Sequence, residues 1–249
     1  MFSINPFAAL SASISPGVMQ AYVVLMVVLV AAGTLFDIVH KGSAKYFFAN
    51  WRKTKARAKP VDGGELVSIA LKTGVVDVLA SGEFCNAKRR VAHLLTMYGF
   101  VLHVVSTVVM VFNQSTSDMW PHLWWIGGLM VCLGGCWFWF FIRADVAAEG
   151  NSPFRVMHAD LFILSLLASV TLGLLWAYLQ STVLFALYVI ATTILFGSVP
   201  WSKFAHMFFK PAAAFEKRVS YANGTRSNLP APADKPEQFG SARTPPQHY

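Results

Sequence analysis

The sequence has few charged residues and few cysteines for its length. Only 13% of its 249 residues are Asp, Glu, Lys or Arg, whereas a soluble domain has about 25%. The three cysteines cannot form a paired disulfide framework, and none stands in a CxxCH haem-attachment motif or at an iron–sulfur spacing. The chain also lacks a phosphate-binding loop, a nucleophile triad and a paired-carboxylate centre. No catalytic site of its own is therefore expected.

Long apolar runs are what the sequence does contain, since 55% of its residues are hydrophobic. A membrane-spanning helix needs about 20 apolar residues. Four runs are close to that length and a fifth is slightly shorter. The pattern predicts an all-α integral membrane protein with five transmembrane helices, and Glu65 to Ala80 predicts a short helix on the membrane surface. The five runs are residues 19–39, 91–112, 123–142, 158–178 and 183–199.

The basic residues are distributed very unevenly between the segments that separate these runs. All 20 Lys and Arg residues lie in residues 40–90, in residues 143–157 or after about residue 200. By the positive-inside rule these segments are cytoplasmic and the N-terminus is outside. The net charge of +8 would suggest nucleic acid in a soluble protein. Here its placement fits an inner-membrane, multi-pass protein, and no nucleic-acid partner is expected.

This topology divides the chain into three parts. Residues 1–18 form an external N-terminus, and residues 19–214 form a five-helix membrane domain that includes the cytoplasmic loop 40–90. Residues 215–249 contain five prolines and little apolar content. We expect them to form a disordered cytoplasmic tail.

Two histidines lie inside the second run, and histidine is rare within a bilayer unless it has a function. His93 and His103 are ten residues apart, so they differ by about 15 Å in depth and about 80° around the helix. His93 shares the cytoplasmic level with His158 and His206, whereas His103 lies in the outer half. A histidine at a helix end can also simply meet lipid head groups.

Haem b would use such paired histidines, because two neutral imidazoles bind its iron axially and the macrocycle fills the gap between helices. Gly99 lies four residues before His103, where it would let a flat ring approach the backbone. Its alternative role is ordinary helix packing. A histidine metal site would require carboxylates or cysteines beside it, and Asp160 is the sole acidic residue near His158.

The five-span pattern, the histidine pair and the ending Val199-Pro200-Trp201-Ser202-Lys203-Phe204-Ala205-His206 resemble a known family. It is the membrane cytochrome b subunit of respiratory nitrate reductases, with related subunits of heterodisulfide-reductase-like and quinone-interacting complexes. The resemblance covers about residues 19–218, although loop 40–90 is longer here. The membrane subunit that accompanies adenylylsulfate reductase in sulfur-oxidising bacteria is most similar in one segment. Its sequence here is Arg90-Val91-Ala92-His93-Leu94-Leu95-Thr96-Met97-Tyr98-Gly99-Phe100.

The resemblance implies a ligand set. His93 and His206 match the axial ligands of the cytoplasm-side haem, and His103 matches a ligand of the outer haem. Tyr188 stands where that family has the fourth histidine, so the second haem does not follow from the pattern. His158 is a further candidate ligand. Without a second haem, His103 would donate a hydrogen bond to a quinone carbonyl, with Tyr188 in the same pocket.

The function that the resemblance implies is electron transfer by a b-type cytochrome with one haem or two. Its partners would be quinone in the bilayer and adenylylsulfate reductase, or a similar iron–sulfur or flavin protein, in dissimilatory sulfur oxidation. The alternative is a haem-free membrane anchor that only docks the soluble reductase. A transporter is less favoured, since no charged residue is expected at mid-membrane and no repeat is visible.

Overall fold

The computed structural model describes most of the membrane domain and parts of the segments around it. The described residues are 2–40, 45, 47–49, 51–52, 59–82, 84, 86–113, 115, 117–142, 156, 160–202 and 206–225, with the backbone alone for residues 206, 208 and 209. Within these ranges the chain is helical and contains no strand. The predicted all-α class is confirmed.

Four helices in the described ranges are long and apolar enough to cross a membrane. They are α2 (Pro16–His40), α4 (Ala87–Phe112), α5 (Met119–Trp137), which a π-helical segment continues to Ile142, and α6 (Leu161–Leu179). The chain is thus a multi-pass membrane protein by the length and composition of its helices. The fifth predicted run forms α7 (Thr182–Gly197), whose 16 residues span about 24 Å of a hydrocarbon core about 30 Å thick.

Shorter helices flank these apolar ones. Helix α1 (Pro6–Leu10) precedes α2, and α3 (Gly63–Lys72) continues as a π-helical segment over Thr73–Leu79. A 3-10 turn (Val199–Trp201) follows α7, and α8 is His206–Ala222. Helix α3 confirms the predicted helix over Glu65–Ala80.

Local signals place two of the helix ends. Helix α4 begins four residues before the predicted apolar run, because the side chain of Asn86 accepts hydrogen bonds from the backbone N–H groups of Lys88 and Arg89. Gln180 ends α6 in the left-handed conformation with φ 51°, and α7 begins two residues later.

Glycines on α5 let its two neighbouring helices approach closely. A Cβ on Gly127 would lie 2.7 Å from the backbone nitrogen of His103, and one on Gly134 would lie 2.7 Å from the carbonyl oxygen of Ala92, both on α4. The adjacent Gly128 and Gly135 instead meet leucine side chains of α6. Small residues at such crossings allow close van der Waals packing, which is the main attraction between helices in a membrane.

The N-terminal segment is packed into the helix bundle, which the sequence did not predict. The side chain of Asn5 donates to the carbonyl oxygen of Met110 at 3.0 Å. The Phe7 ring is buried against Trp124 and Trp176, with ring centroids 6.1 and 5.4 Å apart. Helix α1 therefore covers the bundle at the end of α4 that is predicted to be external.

Helices α3 and α8 form a second layer at the opposite end. Arg218 of α8 donates two hydrogen bonds to Asp77, at 2.6 and 2.8 Å, and this pairing raises the pKa of the guanidinium. The prediction of a disordered tail from residue 215 is wrong for its first part, because residues 215–222 continue α8. Residues 226–249 lie outside the described part of the chain. Helix α8 is amphipathic, and its apolar face favours a helix despite the prolines that follow from residue 230.

Because α4 and α5 approach closely at Gly99, adding one methyl group there should destabilise the protein. A Cβ on Gly99 would lie 2.7 Å from the carbonyl oxygen of Gly127 and 2.8 Å from the backbone nitrogen of Val131. Backbone atoms cannot move aside cheaply, so we expect Gly99→Ala to destabilise the protein by about 1–3 kcal/mol. Thermal unfolding in detergent would measure this loss.

The matched control is Gly197→Ala, because no atom of the described residues lies within 4 Å of a Cβ placed on this helical glycine. This variant should be as stable as the wild type or slightly more stable, since alanine favours helix more than glycine. Equal stability of the two variants would contradict the packing role of Gly99.

Helix α3 carries an apolar stripe that is predicted to lie in the lipid interface. Val67, Leu71, Val75 and Leu79 recur every four residues and are each more than half exposed. On the other side of the helix, Thr73 is buried and Asp77 is bound by Arg218. A spin label at Leu71→Cys, in a background without native cysteines, should be reached by oxygen dissolved in lipid. A label at Glu65→Cys should be reached by a water-soluble nickel chelate, and the same aqueous exposure at Leu71 would contradict the interfacial placement.

Candidate functional site

A cavity of about 840 Å³ lies between α2, α4, α6 and α7. Its lining runs from Phe7, at the end covered by α1, to Met207 in the first turn of α8. The volume is within the range of about 300–1,000 Å³ that is usual for ligand pockets. Most of the lining side chains are apolar. The polar side chains among them are His103, Tyr22, Tyr188, Thr34, Thr107, Ser169 and Thr192.

His103 is the one histidine among the described side chains that lines this cavity. Its imidazole is only 5% exposed, and Nδ1 lies 3.0 Å from the carbonyl oxygen of Trp124 on α5. The other nitrogen, Nε2, is buried and has no hydrogen-bond partner among the described residues. A buried polar atom without a partner is rare in proteins and calls for an explanation.

The hydrogen bond to Trp124 determines which nitrogen carries the proton. A carbonyl oxygen can only accept, so Nδ1 of His103 donates, and in the neutral imidazole Nε2 then carries a lone pair. This is the form in which histidine binds a metal, and a hydrogen bond from the other ring nitrogen to a backbone carbonyl is the usual support of such a ligand. The expected donation to a quinone carbonyl would require the imidazolium, whereas the neutral ring can accept from a quinol hydroxyl.

Neighbouring side chains hold the His103 ring in this orientation. Its plane stacks on the indole of Trp124, with centroids 4.6 Å apart. The indole N–H donates to Thr107 Oγ1 at 2.9 Å, and Thr107 Oγ1 donates to the carbonyl oxygen of His103 at 2.7 Å. Trp124 is completely buried. The closed set of hydrogen bonds fixes the imidazole before any ligand is present.

Tyr188, the second residue named for this level, also lines the cavity. Its ring lies parallel to that of Trp176, with centroids 5.8 Å apart, and it packs on the backbone at Gly173. Gly128 lies between Leu174 and Nδ1 of His103. Because Gly173 is adjacent to Leu174 on α6, Tyr188 lies at nearly the same depth in the bundle as His103.

Gly99 does not line the cavity, although it was predicted to leave room there for a flat ring. It lies at the crossing of α4 and α5, against Gly127 and Val131. Helix packing, the alternative role, is therefore what this geometry supports. Gly99 and His103 are four residues apart and lie on nearly the same face of α4. The small angle between them around the helix is enough to place Gly99 against α5 and His103 in the cavity wall.

His93 lies at the other end of α4, outside the cavity lining. Its Nδ1 is 2.9 Å from Ser81 Oγ, and its ring is 4.8 Å from the ring of Phe84. The same Phe84 ring lies 5.3 Å from the Nζ of Lys210, which is four residues after His206. His93 and the start of α8 therefore share one end of the bundle. The side chain of His206 and the whole of His158 lie outside the described residues.

Trp124 and Thr107 are site residues that the sequence did not single out. Both lie within predicted apolar runs, where neither side chain indicates a site. The spacing of Thr107, four residues after His103, was the available signal, because a hydroxyl at that spacing can bind the backbone carbonyl one turn earlier. Trp124 contributes a backbone carbonyl, which no side-chain pattern can reveal.

Comparisons of the chain with family models, with curated proteins and with solved structures found no match. In the described part of the chain, no group of three or more His, Cys, Asp or Glu side chains could hold a metal ion. A haem differs from such a site, because its macrocycle supplies four of the iron ligands and the protein supplies only the axial ones. A single imidazole in the wall of an apolar cavity could serve as one axial haem ligand.

Proposed function

We propose that this protein is a membrane-bound b-type cytochrome that transfers electrons between quinone and a cytoplasmic redox enzyme. The observation that carries the proposal is the buried, hydrogen-bonded His103 in the wall of an apolar cavity of about 840 Å³, with no partner for its Nε2 in the described part of the chain. An apolar cavity could hold the apolar faces of a planar macrocycle, and the nitrogen without a partner could bind its iron. Haem b bound there would supply a one-electron carrier inside the bilayer.

The residues of this chain would hold that group and keep water from it. His103 would be an axial ligand, with its orientation set by Trp124 and Thr107. The apolar lining would exclude water, which tunes the reduction potential of a bound haem through the local dielectric. The Ser169 and Thr192 hydroxyls are hydrogen-bonded to each other at 2.7 Å. Neither hydroxyl therefore needs a water molecule where α6 packs on α7.

A second haem near the cytoplasm, ligated by His93 and His206, is part of the same proposal. Its support is the resemblance of residues 199–206 to nitrate reductase membrane subunits, together with the shared position of His93 and the start of α8. His158 is the next candidate ligand at this level. Five spans with the N-terminus outside, in the inner membrane, complete the proposed topology. All 20 basic residues then face the cytoplasm.

The proposed partners follow from the same resemblance. Quinone in the bilayer would exchange electrons at the outer half of the cavity. The soluble partner would be adenylylsulfate reductase, or a similar iron–sulfur or flavin protein, in sulfur oxidation. The chemistry on the sulfur substrate would belong to that partner.

Purified protein should show the reduced-minus-oxidised spectrum of a low-spin b-type haem, and haem should be quantified per chain. We expect His103→Ala to lose the haem of the cavity, because removing the imidazole leaves the iron without its axial nitrogen. His93→Ala should leave that haem in place and remove a cytoplasm-side haem if there are two. His122→Ala is the matched control, because His122 is exposed and its Nδ1 already contacts the carbonyl oxygen of Asp118. A preparation without haem would contradict the proposal.

A haem-free anchor is the second candidate function, and the layer of α3 and α8 favours it. The Arg218–Asp77 ion pair fixes α8 on α3, and the ring of Trp51 stacks on Phe215 at 6.1 Å. This arrangement builds a defined surface at the end of the bundle that is predicted to be cytoplasmic, and an anchor would need such a surface equally. The haem content of the purified protein discriminates between the two functions.

Both functions require the cytoplasmic surface to bind a soluble protein, which gives a further prediction. We expect deletion of residues 226–249 to weaken co-purification of the partner, because three basic residues lie there. The difference between the deletion variant and the wild type should shrink as salt rises, since screening then weakens the same charge attraction in the wild type. Arg218→Ala is a matched comparison, because it removes the Asp77 ion pair within the chain and should loosen α8 itself. Unchanged retention of the partner after the deletion would leave α3, α8 and loop 40–90 as the docking surface.

A further inference from the structure

Some of the α2 side chains that line the cavity are also exposed on the outside of the bundle. Val27 and Leu35 are lining residues, yet they are 61% and 63% exposed. Ala31, midway between them, also lines the cavity and is exposed. The three residues recur every four positions and so form one stripe along the helix. A side chain can border a cavity and remain exposed only where the cavity is open, so this stripe marks a lateral opening along a helix that is long and apolar enough to cross the bilayer.

The lateral opening lies on the side of α2 that faces α4. The side chain of Gln20 donates to the carbonyl oxygen of Val111 on α4 at 3.4 Å, so its direction marks that side. At 100° per residue, Val27 and Ala31 each lie about 20° from Gln20 around the helix. The opposite side of α2 carries Tyr22, whose hydroxyl donates to a carbonyl oxygen of α7 at 3.0 Å. The cavity is therefore open to the bilayer between α2 and α4, farther along α2 than the Gln20 contact.

Both rims of the lateral opening are apolar. On α4, the lining residues Phe100, Val104 and Val108 recur every four positions and are half-buried. None of the side chains that line the cavity in the described part of the chain is charged. A molecule that passes through the opening must therefore be soluble in hydrocarbon, because an unpaired charge is costly in apolar surroundings.

The cavity behind the opening nevertheless offers groups that form hydrogen bonds. Nε2 of His103 and the hydroxyl oxygen of Thr34 are both buried, and neither has a partner among the described residues. Both residues line the cavity. A hydrocarbon chain alone would satisfy neither group, whereas a ring that carries oxygen can form a hydrogen bond with either. The occupant therefore has an apolar body and a small, uncharged polar head, which describes a quinol with an isoprenoid tail better than a phospholipid chain.

We infer that quinol enters the cavity from the bilayer through the lateral opening and that its tail lies along Val27, Ala31 and Leu35. This inference rests on the proposed exchange of electrons with quinone, and it adds the route of entry and the residues that admit the tail. The tail stays in contact with hydrocarbon or apolar side chains throughout, so entry exposes none of it to water. The polar ring passes inward, where the unpartnered groups of the cavity wall lie.

Labelling with a photoreactive azidoquinone tests this inference in the full-length protein reconstituted in lipid nanodiscs. The wild type should be labelled on α2 or α4, and excess decylubiquinone should compete with the label. Ala31→Trp places an indole across the opening, so the competed labelling should fall by about tenfold or more. Ala32→Trp is the matched control, because Ala32 is the next residue, is also exposed and does not line the cavity. Its labelling should equal that of the wild type.

The outcomes separate this inference from the function on which it rests. If Ala31→Trp does not fold, Val27→Trp decides in its place, with thermal unfolding as the check on each variant. Wild-type labelling in the folded variant would overturn the inference. Labelling that decylubiquinone does not compete would also overturn it and would indicate that a lipid chain alone occupies the opening. The labelling does not require haem, so haem-free protein whose competed labelling is lost in Ala31→Trp would overturn the haem assignment alone.

Discussion

The arrangement of the site depends on one hydrogen bond, from His103 Nδ1 to the carbonyl oxygen of Trp124. An imidazole in the apolar interior of a membrane protein must find a partner, because an unsatisfied polar group there costs several kcal/mol. A helical carbonyl on α5 can serve only if α4 and α5 come unusually close. Gly99 and Gly127 make that approach possible, because their missing side chains let backbone meet backbone. The hydrogen bond of His103 therefore depends on the glycines at the crossing of α4 and α5.

The close packing of α4 on α5 also explains why the cavity lies on the other side of α4. Tight packing against α5 uses the glycine face, and α5 in turn packs on α6 through Gly128 and Gly135. Helix α2 has no comparable glycine crossing with α4. Its contacts with the bundle include Gln20 on Val111, the Tyr22 hydroxyl on the carbonyl oxygen of Val189, and Gly33 on Val199. The cavity lies between α2 and the other helices, and His103 is part of its wall.

Much of the fold was predictable from the sequence, because hydrocarbon permits few alternatives to an apolar helix. The apolar runs gave the helices to within a few residues, and the depth of His103 singled it out. The details that position the site were not predictable. The contact of Gly99 with α5 depends on helix rotation, and the carbonyl of Trp124 has no sequence signature. Helix α8 could not be predicted with the same ease, because the proline-rich composition after residue 229 indicates disorder and the amphipathic pattern before it is short.

Helix α4 connects the two ends of the molecule, and this connection limits how a function could be built. It carries His103 beside the cavity and His93 at the end where α3 meets α8. Its contacts with α3 are polar: Tyr98 donates to the carbonyl oxygen of Leu79, and Arg90 donates to that of Ala80, both at 2.8 Å. A rigid helix about 39 Å long that joins a buried imidazole to an organised polar surface suits transfer between a site in the bilayer and a partner in water. An anchor would require the polar surface but not the buried imidazole, which is why the site near His103 carries the functional argument.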